Sequence, residues 1–238
     1  MEFVQNVPFF CIMLSMFSGT VSSVLPKKWA RRLNIAMLSM VIAMSAWLLL
    51  YLVQSGIGSF TYMMGHFPAP WGNELRVGIL EAGMALFFAV IMLLSILGGR
   101  KKLDGEVEGT KHNIYYILCN LLLSSLLALV YTNDLFTAYV FVEINTIAAC
   151  GLIMIRQNGR CIEAAVRYMI MSLLGSGLLL LGICMLYDMT GHLLMSNIKE
   201  QITAIMQAGV YRIPMIVTIG IITVGPKLRI RQPPPPTT

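Results

Sequence analysis

Residues 113–155, NIYYILCNLLLSSLLALVYTNDLFTAYVFVEINTIAACGLIMI, decide the fold class of this chain. Two side chains in this stretch are charged, Asp134 and Glu143. A membrane-spanning helix needs about 20 mostly apolar residues, so the stretch is long enough to cross a bilayer twice with a short turn near Asn133. The pattern therefore predicts two neighbouring membrane helices.

Apolar stretches of spanning length recur along the whole sequence. The chain is 57% hydrophobic and 12% charged, which is more apolar surface than a soluble domain of 238 residues could bury. We predict an all-α, polytopic membrane helical bundle of about seven transmembrane helices, located in the cell membrane as a multi-pass protein. The predicted spans are residues 3–25, 34–54, 76–97, 113–132, 134–155, 163–187 and 211–226.

The positions of the basic residues predict the orientation of the bundle. Lysine and arginine cluster in three alternating loops, at residues 26–33, 98–112 and 156–162. Cytoplasmic loops carry an excess of these residues, so we expect the N-terminus outside and the C-terminus in the cytoplasm. The net charge of +6 then reflects topology, and we predict no nucleic-acid partner.

The chain divides into three predicted regions. Residues 1–112 hold the first three helices, residues 113–228 hold the other four, and residues 229–238 form a proline-rich tail that we expect to be disordered. Between spans six and seven, Leu193 to Ala208 has the mixed periodicity of an amphipathic helix at the membrane surface. The segment Gly56 to Gly72 is rich in glycine, proline and aromatic residues, which suits a loop at the outer interface.

Glu143 is the main candidate for a functional residue. It lies near the middle of the fifth predicted span, about 13 Å from its start, where an ionised carboxylate is costly. We expect it to face the bundle interior, where it stays protonated or pairs with a cation, and in either state it can exchange a proton. The alternative is a structural glutamate that locks the packing of neighbouring helices.

Arg167, in the sixth span, is a candidate cationic partner for Glu143. Glu163 precedes Arg167 by four residues in the order that favours an ion pair along one helix. From spacing alone, both pairings of Arg167 stay open.

Other polar residues in the spans favour structural interpretations. We expect Glu81 and Arg76 to form an interfacial pair near the start of the third helix, and Asn120 and Asn145 to hydrogen-bond helices together. The five cysteines are scattered singly, and no phosphate-binding glycine loop, Ser/His/Asp arrangement or metal-ligand spacing occurs. We therefore predict no cofactor and no metal.

Four segments carry a resemblance to a known family. They are NDLFTAYVFVEI at residues 133–144, EAAVRY at 163–168, the glycine-bearing span at 172–191, and PAPWGNELRVGILE at 68–81. Together they resemble the antiporter-like proton-translocating membrane subunits of respiratory complex I, membrane-bound hydrogenases and multi-subunit cation/proton antiporters.

The resemblance implies a proton pathway through Glu143, Arg167 and Lys227. In that family a glutamate of the fifth helix pairs with a basic residue of the sixth, and a lysine on a broken seventh helix passes protons onward. Arg167 stands where the family usually has lysine. An arginine can hold Glu143 ionised but hardly releases a proton itself.

The resemblance also implies a function and its partners. We expect proton or cation/proton translocation by a non-redox subunit of an NADH:quinone oxidoreductase, hydrogenase or antiporter complex, with the lipid bilayer and other membrane subunits as partners. The chain resembles only the N-terminal half of a family member and turns to PKLRIRQPPPPTT where the family continues, which predicts a truncated chain. The alternative is a structural membrane fragment that packs against partners and moves no ion.

Overall fold

The computed structural model describes residues 2–64, 73–100, 103, 105, 107, 111–209 and 211–230. A two-stranded antiparallel hairpin separates the second and third of eight helices in these residues. In chain order the elements are α1 Glu2–Val24, α2 Lys27–Ser55, β1 Ser59–Met63, β2 Glu74–Gly78, α3 Ile79–Gly98, α4 His112–Tyr131, α5 Leu135–Met154, α6 Gly159–Thr190, α7 Met195–Ala208 and α8 Arg212–Ile230.

The predicted polytopic helical membrane bundle is confirmed. Six helices, α1 to α6, are long and apolar enough to cross a membrane. The seventh predicted span corresponds to α8, and the predicted amphipathic helix corresponds to α7. The crossing of the membrane by α8 and the orientation of the termini stay predictions. The predicted tail begins inside α8, which continues to Ile230, and residues 231–238 lie outside the described residues.

Two of the predicted basic loops are shorter than expected because the helices extend into them. Helix α2 begins at Lys27, directly after Pro26, so most of the loop predicted at residues 26–33 is helical. Helix α6 begins at Gly159, inside the loop predicted at residues 156–162. Hydropathy marks the thickness of the hydrocarbon layer, whereas a helix can continue beyond it into the headgroup region.

The β-hairpin corrects the predicted start of the third span. Thr61 pairs with Arg76 and Ser59 pairs with Gly78, so Arg76 belongs to a strand rather than to the third helix. Helix α3 begins at Ile79, which places Glu81 in its first turn. The hairpin satisfies the backbone polar groups on both sides of the loop predicted at residues 56–72, of which residues 65–72 lie outside the described chain.

The larger hydrophobic core lies among α1 to α4 and the hairpin. It includes Val7, Leu38, Ala85, Leu123 and Val77, each fully shielded from solvent. Helix α4 packs against α1, so the boundary predicted at residue 112 separates helices that share one core. From α4 the packing continues to α5, α6 and α8. A smaller apolar cluster joins α6, α7 and α8.

The turn between α4 and α5 binds two other segments through its backbone. The Asn133 N–H donates to Glu74 O at 2.9 Å, and Met195 N–H donates to Asn133 O at 2.8 Å. Two residues on, Leu135 N–H donates to Leu193 O at 3.0 Å. Backbone hydrogen bonds at this turn therefore connect the hairpin and the start of α7 to the start of α5. We call this end of the bundle the hairpin end.

Asp134 caps the N-terminus of α5. Its Oδ1 accepts a hydrogen bond from the Thr137 N–H at 2.6 Å. We expect Asp134→Ala to lower the free energy of unfolding by about 1 kcal/mol, because a free N–H of the first turn loses its acceptor. Asp134→Asn keeps an acceptor and should unfold near the unchanged chain. Thermal unfolding in detergent checks this, and equal midpoints for both variants would contradict the cap.

Candidate functional site

Helix α5 holds Glu143 near its centre. The helix has 20 residues and starts at Leu135, so Glu143 lies about 12 Å along an axis of about 30 Å. The side chain is half-buried, and its Oε1 atom is fully buried. One oxygen of this carboxyl group therefore lies inside the bundle.

Polar side chains link α5 to both neighbouring helices within one turn of Glu143. On one side the Ser125 hydroxyl of α4 contacts Asn145 Oδ1 at 3.4 Å. On the other side the Ser172 hydroxyl of α6 contacts Thr146 Oγ1 at 3.4 Å. These contacts join α5 to α4 and to α6 through polar groups within one turn of Glu143 along the helix.

The hydroxyl groups near Glu143 were not among the residues that the sequence singled out. Ser125, Thr146 and Ser172 are each at most 4% exposed. The sequence could have indicated these residues, because Ser125 and Ser172 lie on the two helices adjacent to α5 and Thr146 lies three residues after Glu143. Asn145 connects helices, as predicted for it, through its contact with Ser125.

Arg167 pairs with Glu163 in the structure. The guanidinium Nη2 lies 2.5 Å from Glu163 Oε1, and the two side chains are 66% and 62% exposed. Of the two pairings that spacing left open, this is the one along a single helix. Helix α6 begins at Gly159, whereas the predicted span began at residue 163. Arg167 therefore lies about two turns from the start of its helix instead of about one.

Lys227 lies on α8, directly after Pro226, and its side chain is exposed. Pro226 has no N–H to donate to Ile222 O, so the helix ladder is interrupted one residue before the lysine. Beside this interruption, α8 approaches α6 so closely that a Cβ on Gly225 would lie 2.6 Å from Gly175 O. Lys227 thus follows a proline directly and lies next to the close contact between α6 and α8.

Glu81 and Asn120 belong to the other core, among α1 to α4. The Glu81 carboxylate turns back over Gly78, where a Cβ would lie 2.6 Å from Glu81 Oε2. The carbonyl of Asn120 accepts a hydrogen bond from the Ser15 hydroxyl of α1 at 3.0 Å. This contact to α1 uses the backbone of Asn120, so the hydrogen bond between helices predicted for its side-chain amide stays a prediction.

Comparison with known proteins connects this geometry to a family. The family described as "NADH:quinone oxidoreductase/Mrp antiporter, TM" matches residues 132–233, which include Glu143, Arg167 and Lys227. The chain is related to the antiporter-like membrane subunits. The predicted resemblance is confirmed, and the match begins at the turn that fastens α5 to the hairpin.

Individual antiporter-like relatives agree with the family match. NADH-quinone oxidoreductase subunit N of Desulforudis audaxviator is 31% identical over 67% of this chain and 31% of its own length. A Na(+)/H(+) antiporter subunit of Bacillus subtilis is 28% identical over 69% of this chain and 32% of its own length. The chain thus spans about a third of the length of these curated relatives.

A solved structure agrees with the antiporter-like fold. A chain of the membrane-bound sulfane sulfur reductase, an archaeal respiratory membrane complex, superposes with a TM-score of 0.80 and 24% identity. The superposition covers 92% of this chain and 44% of that chain. At this level of identity the likeness shows the fold.

Proposed function

We propose that this antiporter-like chain takes part in translocating protons, or cations in exchange for protons, within a larger membrane complex. The observation that carries the proposal is the position of Glu143, a carboxyl group half-buried at the centre of α5 with one oxygen fully buried. Such a group can take up and release a proton where lipid and apolar side chains exclude bulk water.

The surroundings of Glu143 support a proton pathway. Ser125 and Asn145 join α4 to α5, and Thr146 and Ser172 join α5 to α6, so groups that donate and accept hydrogen bonds lie within one turn of Glu143 along α5. Hydroxyl groups can pass a proton along by exchanging donor and acceptor roles. In this proposal they form the first steps away from Glu143.

Arg167 sets the charge state of Glu143 in the proposed cycle. In the structure the guanidinium of Arg167 binds Glu163. When Arg167 turns toward α5, its positive charge stabilises the ionised carboxylate and the proton leaves. Lys227 then acts as the next basic group, as its place in the family pattern implies.

The outward-facing surfaces of the helices support other membrane subunits as partners. On α8, Ile213 is 76% exposed and Ile216 is 63% exposed. Large apolar side chains also face outward along α1 to α6. These surfaces suit lipid and the helices of neighbouring subunits.

The proposed function is tested by removing the chain and restoring it. We expect respiring membrane vesicles from cells that lack the chain to lose proton or sodium uptake, and a restored gene to return it. Both ions are followed in the same vesicles, which identifies the transported ion. Unchanged uptake of both ions without the chain would contradict the proposal. Lost complex assembly, with transport insensitive to changes at Glu143, would instead favour the non-transporting structural role.

A further inference from the structure

Polar residues on α2 and α4 repeat at the same interval inside the N-terminal core. Asn34 and Ser45 on α2, and Asn120 and Tyr131 on α4, are each separated by about three helical turns, so each pair occupies one face of its helix. All four side chains are at most 1% exposed. Helices α2 and α4 contact each other, and both pack against α1.

Several of these buried polar groups lack a protein partner. Within the described part of the chain, both amide atoms of Asn34, the amide nitrogen of Asn120 and the hydroxyl of Tyr131 make no hydrogen bond to protein. A buried polar group left in this state costs about 1–3 kcal/mol. Folded proteins commonly satisfy such groups with bound water, which makes about three hydrogen bonds to polar atoms.

At the hairpin end, polar groups from four helices converge. Cys11 of α1 lies beside Ser45 of α2, and Tyr131 of α4 lies within electrostatic range of Cys11. Tyr131 is also within electrostatic range of Glu81 in the first turn of α3. Since Glu81 is only half-buried, it connects this cluster to the surface at the hairpin end.

Toward the other end of the bundle, α1 continues the polar face. Ser15 donates to Asn120 O at 3.0 Å, Ser18 donates to Ser15 O at 2.9 Å, and Ser22 donates to Ser18 O at 2.7 Å. Each hydroxyl oxygen retains lone pairs that can accept a hydrogen bond from water. The serines are at most 6% exposed, so these acceptors lie inside the bundle.

We propose that the interface of α1, α2 and α4 binds a column of water molecules that extends from Glu81 and Tyr131 at the hairpin end to Asn34. The bound water supplies the hydrogen-bond partners of the Asn34 and Asn120 amides and of the Tyr131 hydroxyl. It also gives Glu81, Cys11 and Tyr131 a route for proton exchange with the surface. This column is separate from Glu143, which lies on α5, and it does not depend on the proposed function.

Hydroxyl-radical footprinting tests the column, because radicals formed from bound water oxidise the side chains that touch it. In the full chain in lipid nanodiscs, we expect Tyr131 and Cys11 to be oxidised several times faster than Tyr116 and Cys150. The two controls are of the same residue types and are equally shielded, at 2% exposure each. Oxidation of Tyr131 no faster than that of Tyr116 would overturn the proposal without any variant.

Replacing the two buried amides tests whether they hold the proposed water molecules in place. Asn34→Leu and Asn120→Leu keep the approximate side-chain volume and remove the groups that hold water. We expect either change to slow the oxidation of Tyr131 toward the rate of Tyr116, whereas Glu143→Gln leaves it unchanged. Unchanged oxidation of Tyr131 together with a higher unfolding temperature would show that the amides are dry, since removing an unsatisfied buried amide stabilises a protein.

Discussion

Glu143→Gln is expected to lower the rate of proton translocation in respiring vesicles by about tenfold or more, which corresponds to at least about 1.4 kcal/mol in the barrier. Glutamine has nearly the shape of a protonated glutamate and can still donate and accept hydrogen bonds, so the packing of α5 should be retained. It cannot ionise or release a proton at neutral pH. The loss should therefore appear in the transport rate while the amount of folded chain stays the same.

Glu200→Gln provides the matched control for Glu143. It makes the same chemical change at an exposed position on α7, and vesicles carrying it should translocate protons at the unchanged rate. Glu143→Asp keeps an ionisable group but draws it back toward the helix, so an intermediate rate is expected. If Glu143→Gln vesicles pump as fast as Glu200→Gln vesicles, Glu143 has no part in the pathway.

Gly225→Ala is expected to lower the free energy of unfolding by about 2 kcal/mol, although alanine favours helix more than glycine does. The added Cβ would lie 2.6 Å from Gly175 O and 3.1 Å from the backbone nitrogen of Leu179. Backbone atoms of α6 cannot turn aside as a flexible side chain can, so α8 must shift. Unfolding by sodium dodecyl sulfate, followed by circular dichroism, measures the change.

Gly220→Ala separates this contact from helix propensity. Gly220 lies on the same helix, and its added Cβ would meet no atom of the described residues within 4 Å. This control should be stabilised by up to about 1 kcal/mol, because alanine loses less conformational entropy in a helix than glycine. A change of the same sign in both variants would mean that the contact between α6 and α8 does not limit stability.

The sequence was sufficient for the helices that cross the membrane and for the central position of Glu143. Both follow from long apolar stretches, whose length the bilayer fixes at about 20 residues. The amphipathic helix α7 was also predictable, because its mixed periodicity differs from that of the spans. Hydropathy could not reveal that α2 begins at Lys27, since a basic first turn looks like a loop by composition.

The hairpin and the partner of Arg167 depend on information that periodicity does not contain. The strands have five residues each and are joined by a segment rich in glycine and proline, so their pairing is visible only in three dimensions. Whether Arg167 faces Glu143 depends on the rotation of α6 about its axis, whereas its pair with Glu163 on the same helix does not. Apolar residues on all sides of a membrane helix leave that rotation unspecified.

The turn at Asn133 holds one end of α5 in place. Backbone hydrogen bonds to Glu74 and Met195 hold that end, and they do not depend on the charge of any side chain. The opposite end leads into α6 through Gln157, which has a positive φ of 50° and takes a 2.6 Å hydrogen bond from Lys111. The two ends of α5 are therefore held differently: backbone pairing holds the end at Asn133, whereas a side-chain hydrogen bond from a lysine holds the end at Gln157.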